Sequence, residues 1–87
     1  MHAVVVRVKI NNSDGAEERL RNDVVPRVSQ APGFKAGYWT RRDDGGLSML
    51  IFESEENARA AADRVPENIP EDVTLQDVEV REVVASA

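Results

Sequence analysis

The run Leu47–Glu53, LSMLIFE, restricts the fold more than any other stretch of the chain. In an extended strand successive side chains point to opposite faces, so Leu47, Met49 and Ile51 share one side and Leu50 and Phe52 the other. Both sides are apolar. Such a strand has to be covered on both sides, and one layer of helices covers only one of them. A second copy of the same sheet is the most economical cover for the other.

The residues before this run predict a hairpin. Phe34–Arg42 mixes aromatic and small residues, as a half-buried strand does. Asp43-Asp44-Gly45-Gly46 contains an Asp-Gly pair suited to a type I′ reversal. A two-residue loop at Asp44-Gly45, or a four-residue loop from Asp43 to Gly46, pairs Arg42 with Leu47, Trp39 with Leu50, Tyr38 with Ile51 and Gly37 with Phe52. A bare glycine opposite a large ring suits a sheet, because the ring covers the exposed backbone. A three-residue loop with a bulge is the arrangement that would shift this register and exchange the faces.

The flanking segments complete an alternation of strands and helices. In His2–Ile10, Val4, Val6, Val8 and Ile10 lie on one face, and Val5, Arg7 and Lys9 on the other. A turn over residues 11–15 leads into a helix, with Ser13 or Asp14 as N-cap and Glu17 and Glu18 at its positive end. Ala16, Leu20, Val24 and Val28 recur every four residues along it, broadened by Val25 and Ala31. Pro26 interrupts that stripe, which predicts a kink or broken turn, or else a helix end at Val25. Pro32-Gly33 closes the segment. Ser54 caps a second helix, with Glu55 and Glu56 in its first turn and Ala58, Ala61, Ala62 and Val65 on its buried side. Pro66 stops it, and Ile69 turns inward from the polar connector that follows. Val73–Val84 is the last strand, with Val78, Val80 and Val84 on one face and Asp77, Glu79 and Arg81 on the other. Ala85–Ala87 is a frayed tail.

This order is β-α-β-β-α-β, the ferredoxin-like α+β arrangement, over a single domain spanning residues 1–87. Right-handed crossovers put the first and third strands at the centre of a four-stranded antiparallel sheet, with both helices on one face. A chain this short buries only about 60–65% of its unfolded surface on its own, and it has no cysteine for disulfide staples. Association is the remaining way to enlarge its core.

Several functions are argued against. A net charge of −5 disfavours a nucleic-acid partner. No apolar run approaches a membrane span and no signal peptide is visible, so a cytoplasmic, membrane-free protein is expected. His2 is the one histidine and has no spaced partner, so no metal site is expected. The serines have no histidine placed to serve as base, and no phosphate-cradling glycine pattern opens a helix. The same topology serves RNA-recognition domains, but the third strand here has one aromatic residue and no basic one.

What remains is Tyr38, Trp39, Arg41 and Arg42 on the second strand, with Asn11 and Asn12 at the end of the first. Trp and Tyr can line an apolar pocket while each offers one polar atom. Arg41 would share a face with Trp39, and Arg42 with Tyr38. The plainer alternative makes Trp39 a core or dimer-contact residue, Tyr38 core, and the arginines solvated strand ends.

The corner Ala31-Pro32-Gly33-Phe34, the following Gly37-Tyr38-Trp39, and the passage Leu50-Ile51-Phe52-Glu53-Ser54-Glu55-Glu56 with Ala58 carry a resemblance. On these residues the chain resembles the dimeric α+β barrel superfamily, and within it the antibiotic biosynthesis monooxygenase-like proteins. The resemblance implies a homodimer whose sheets face each other as a barrel with the helices outside. It also implies oxidation of electron-rich aromatic substrates with dioxygen and neither metal nor flavin, so no cofactor is expected. The heme-degrading branch uses an Asn, Trp and His set. Here the position ending the third strand, often Trp in that passage, is Phe52, and the second helix has no histidine, which argues against heme degradation. Tyr38, Trp39, Arg41 and Phe52 are the candidate ligand-binding residues. The expectation is a homodimeric barrel taking a small apolar or aromatic molecule, either as a cofactor-independent monooxygenase-like enzyme or as a non-catalytic binding or assembly module similar to the stress-responsive α/β-barrel proteins. In the enzyme, Arg41 or Tyr38 would stabilise a phenolate-like anion and Trp39 would pack on the ring.

Overall fold

The computed structural model describes residues 1–11, 15–69 and 71–87. The expected N-cap at Ser13 or Asp14, and Asn12, lie outside them. Four strands, β1 (His2–Ile10), β2 (Phe34–Arg42), β3 (Gly45–Phe52) and β4 (Val73–Glu82), form one antiparallel sheet in the order β2-β3-β1-β4. Two helical segments lie between β1 and β2 and between β3 and β4, which gives the β-α-β-β-α-β topology with the two most apolar strands at the centre.

On the helix-covered side, Val4, Val6, Leu50 and Phe52 meet Ala58 of the second helix in the buried core. Val4, Phe52 and Ala58 have no exposed surface. Removing a side chain such as Phe52 or Val4 from water contributes about 1.5–3 kcal/mol. Phe34 packs edge-on against Phe52, with ring centroids 5.8 Å apart. It reaches that side because pairing shifts between Phe34 and Ala36, which leaves Lys35 as a bulge in β2.

The second helix, Glu55–Arg64, starts as expected: the Asn57 amide donates to Ser54 Oγ at 3.1 Å. Arg59 donates to the Glu55 carboxylate at 3.0 Å one turn on, and this hydrogen bond and charge hold the Glu55 carboxyl below the usual carboxylate range. Its support is present above the unfolded carboxylate pKa and fades as pH falls, and it is slight because the pair is exposed. Ala58, fully buried, permits close approach to the sheet.

The first helical segment resolves the Pro26 question. It is α-helical over Ala16–Arg19, π-helical over Leu20–Val24 and α-helical again over Val25–Ser29. The Val25 amide donates to Leu20 O, five residues back. Pro26 has no amide to give and its ring crowds the carbonyl of Asn22, and the widened turn just before it absorbs that conflict. The helix therefore neither ends at Val25 nor breaks.

The hairpin register departs from the sequence expectation. Arg42 pairs with Gly45, Trp39 with Ser48, Tyr38 with Met49 and Gly37 with Leu50. Asp43 takes the left-handed conformation itself, with φ +55°, so the reversal sits at Asp43-Asp44 and both glycines belong to β3. Gly46 is needed there because a Cβ would lie 2.7 Å from Val8 Cγ2 on β1. The slip is two residues, so every side chain keeps its face. The last strand is also corrected. It ends at Glu82, and Val84 lies beyond it, almost fully exposed. Between Arg7 and Val8 the pairing skips Gln76, and this bulge brings Leu75 into the core with Val78 and Val80.

The other face of the sheet carries no helix. Across it run two paired rows, Ala36-Ile51-Ala3 and Tyr38-Met49-Val5. At its centre Ala3 and Val5 are each 5% exposed, whereas Tyr38 is 66%, Met49 43% and Leu47 37% exposed.

Two substitutions test this construction by urea unfolding at fixed protein concentration. Gly33 has φ +76°, and a Cβ there would overlap the Asn57 side chain. Gly33→Ala is expected to cost about 2 kcal/mol. Ser54→Ala, which removes the cap of the second helix, is expected to cost about 1 kcal/mol. An unchanged midpoint in either variant contradicts the corresponding contact.

Candidate functional site

The two helical segments do not sit equally close to the sheet. The second presses Ala58 into the core, but no residue between Leu20 and Ser29 is fully buried. Val28 packs against the edge of the core, whereas Leu20 and Val24 are half-buried without joining it. The space between them and the sheet is a half-open cavity of about 620 Å³, lined by Val6, Val8, Trp39 and Leu50 of the sheet and by Leu20, Val24 and Val28 of the helix. A smaller chamber of about 440 Å³ adjoins it toward Ile10, Thr40 and Arg41. Both chambers are lined by Val8, Leu20, Trp39 and Ser48, so those residues form the waist between them.

Trp39 is set in place by what its neighbours lack. A Cβ on Gly37 would approach Trp39 Cη2 and Cζ3 at 3.0 Å and Phe34 Cζ at 3.1 Å. The indole therefore lies over the bare backbone of Gly37, which is how an aromatic side chain shields a strand glycine. Opposite Trp39 stands Ser48, small enough to leave the waist open.

Polar contacts join the first helical segment to the rest of the chain around the cavity. Arg19 pairs with Asp72 at 2.8 Å, Arg41 with Glu17 at 3.6 Å, and Arg27 Nη1 donates to Asn68 Oδ1 at 3.1 Å. Asn68 Nδ2 donates in turn to the Arg64 carbonyl at 3.1 Å. Surface contacts of this type contribute about 0–1 kcal/mol each, so this helix is held less firmly than the second. Ile69 is half-buried and lines the larger chamber.

The sequence-derived candidates fall into two groups. Trp39 lines both chambers, Phe52 the larger and Arg41 the smaller. Tyr38 stands on the opposite, uncovered face beside Met49 and is not brought together with the other three. Arg42 is exposed at the hairpin end. Asn11 does not line either chamber; its amide donates to Thr74 Oγ1 at 2.7 Å. The residues that sequence reasoning missed are Arg27, Arg64 and Asn68 at the rim of the larger chamber. Leu20, Val24 and Val28 were visible as a helical stripe, but nothing in their spacing says that only Val28 of the three reaches the core. The rim residues come from two helical segments far apart in sequence and carry no local signature.

Among the described residues no group of three or more His, Cys, Asp or Glu side chains is arranged to hold a metal ion. No helix is long and apolar enough to cross a membrane.

No family model and no curated protein matches the sequence. Solved structures do match the fold. A mutant of MhuD crystallised with two manganese protoporphyrin IX molecules per active site superposes with a TM-score of 0.66 at 15% identity, covering 100% of this chain and 98% of that one. The heme degrader MhuD from Mycobacterium tuberculosis, with two hemes bound in its active site, superposes with a TM-score of 0.54 at 20% identity, covering 97% and 98%. At these identities the likeness carries the fold alone: the chain has the ferredoxin-like α+β fold of these structures.

Proposed function

We propose that this chain works as a homodimer in which each subunit binds a small apolar or aromatic molecule in the cavity beneath its first helix. The observation that carries the binding reading is the 620 Å³ chamber itself, lined mainly by aliphatic side chains with Trp39 at its waist. Its volume lies within the range of small-molecule sites, and its composition is the usual one: apolar walls with a few polar groups at the edge. The homodimer is supported by the uncovered rows of Tyr38, Met49, Leu47 and Ile51, which a second sheet would cover.

The MhuD structures of similar fold hold manganese protoporphyrin IX or heme. Heme iron takes an axial ligand from His, Cys, Met or Tyr. Among the described residues His2, Tyr38, Met1 and Met49 all lie outside both chambers, and the chain has no cysteine. The residues present do not fit heme, and the proposed ligand is an organic molecule without iron.

A second reading, a cofactor-independent monooxygenase-like reaction, is favoured by one observation: Arg41 and Trp39 line the same smaller chamber. There the Arg41 guanidinium would stabilise a phenolate-like anion as it forms, and the indole would pack on the ring.

Both readings are directly testable. The neutral fluorophore N-phenyl-1-naphthylamine should bind saturably and quench Trp39, the only tryptophan. Ala61→Phe, which fills the larger chamber from the second helix, should weaken binding about tenfold or more. Non-saturable quenching, or an unchanged affinity in Ala61→Phe, overturns the cavity reading. For the oxygenase, dioxygen uptake with an anthrone-like substrate should fall about a hundredfold in Arg41→Ala. Uptake equal to that of buffer alone rules the reaction out and leaves the binder.

A further inference from the structure

The charge around the cavity runs against the charge of the chain. The sequence carries a net −5. Yet the charged side chains lining the larger chamber are Arg27, Arg64 and Glu67, and those lining the smaller are Arg21, Arg41 and Glu17. Arginine outnumbers carboxylate two to one in each. In the smaller chamber the excess is partly spent, because Arg41 and Glu17 pair at 3.6 Å. In the larger it is not. Among the described residues neither Arg27 nor Arg64 has a carboxylate within 4.0 Å, Glu67 included.

Asn68 ties the Arg27 side chain to the backbone of Arg64, and both arginines line the larger chamber. Asn68 Oδ1 accepts from Arg27 Nη1 and Asn68 Nδ2 donates to the Arg64 backbone carbonyl, both at 3.1 Å. A guanidinium carries five N–H donors, and Arg27 uses one of them on a neutral amide oxygen. A carboxylate is a stronger acceptor than that amide, because a charge-assisted hydrogen bond is roughly twice as strong as a neutral one. Immediately behind the rim the walls become apolar, with Val28, Val65 and Ile69 leading to Leu50 and Phe52. The site therefore offers an aliphatic and aromatic barrel below and two uncommitted cations at its lip.

We propose that the ligand of this cavity is an amphiphilic carboxylate, with its apolar body against Val28, Val65 and Trp39 and its carboxylate held between Arg27 and Arg64. This deepens the small-molecule reading above and rests on it: the apolar chamber supplies most of the binding, and the arginine rim selects the head group and fixes which end enters first. Arg27 exchanges its bond to Asn68 for one to the ligand. Arg64 takes the second carboxylate oxygen.

A matched pair of probes separates the two claims. Quenching of Trp39 is followed with 6-phenylhexanoate and with 6-phenylhexan-1-ol, which share a body and differ in head group. The carboxylate is expected to bind about tenfold more tightly than the alcohol, and its advantage should shrink toward molar salt while alcohol binding does not weaken. In the Arg27→Gln/Arg64→Gln double variant, acid and alcohol should bind alike, with the alcohol's affinity as in the wild type. Equal affinities in the wild-type protein, or an acid preference that survives in the double variant, overturn the carboxylate assignment while leaving the cavity intact. Failure of both probes to bind overturns the cavity reading along with it. Because the salt arm uses the wild-type chain, the test does not depend on the folding of the variant.

Discussion

The organising constraint is that β1 and β3 are apolar on both faces and sit side by side at the centre of the sheet. Val4, Val6, Leu50 and Phe52 point to the helices, and Ala3, Val5, Met49 and Ile51 point away. A helix layer satisfies the first set. Among the described residues no helix covers the second, in which Ala3 and Val5 are nearly buried while Met49 and Tyr38 stay largely open. The asymmetry in charge follows the same plan. Asp77, Glu79 and Arg81 lie at the β4 side of the uncovered face, and the apolar rows lie toward β2 and β3. An apolar field bordered by charge on one side is the pattern of an interface with a core and a polar rim.

The helix-covered face has its own asymmetry, and that is where a ligand can enter. Small residues on the second helix let it close on the sheet, while on the first Val28 reaches the core and Leu20 and Val24 do not. Pro26 and the π-helical turn before it belong to this arrangement, since a widened turn changes which side chains face the sheet on either side of it. Gly37 and Ser48 keep the waist beside Trp39 clear from below. The cavity thus depends on small residues on the sheet and second helix and on one irregular turn in the first.

Much of this could be read from the chain. Element order, the central place of β1 and β3, the Ser54 cap and the two-sided character of LSMLIFE followed from periodicity, because a strand or helix with a strong apolar pattern has few alternatives. The hairpin register did not follow. Asp-Gly is a strong turn signal, but Asp tolerates the left-handed region too, and Val8 on a third strand decided that Gly46 belonged inside the sheet. The β4 bulge was written in the change of phase from Leu75 to Val78, a signal easily lost next to the exposed Val84. For the site, Trp39, Arg41 and Phe52 were visible as residues able to line a pocket. Tyr38 was grouped with them by chemistry, and strand alternation places it on the other face. The rim of Arg27, Arg64 and Asn68 was not legible, since it forms only when two helical segments converge.

Sedimentation equilibrium of the wild-type protein, from about 1 to 100 µM at moderate salt, tests the central claim most directly, because a standard interface is stable well into this range. The account predicts a species of twice 9.6 kDa across most of that range, dissociating only toward its lower end. Folded single chains of 9.6 kDa at every concentration would contradict it.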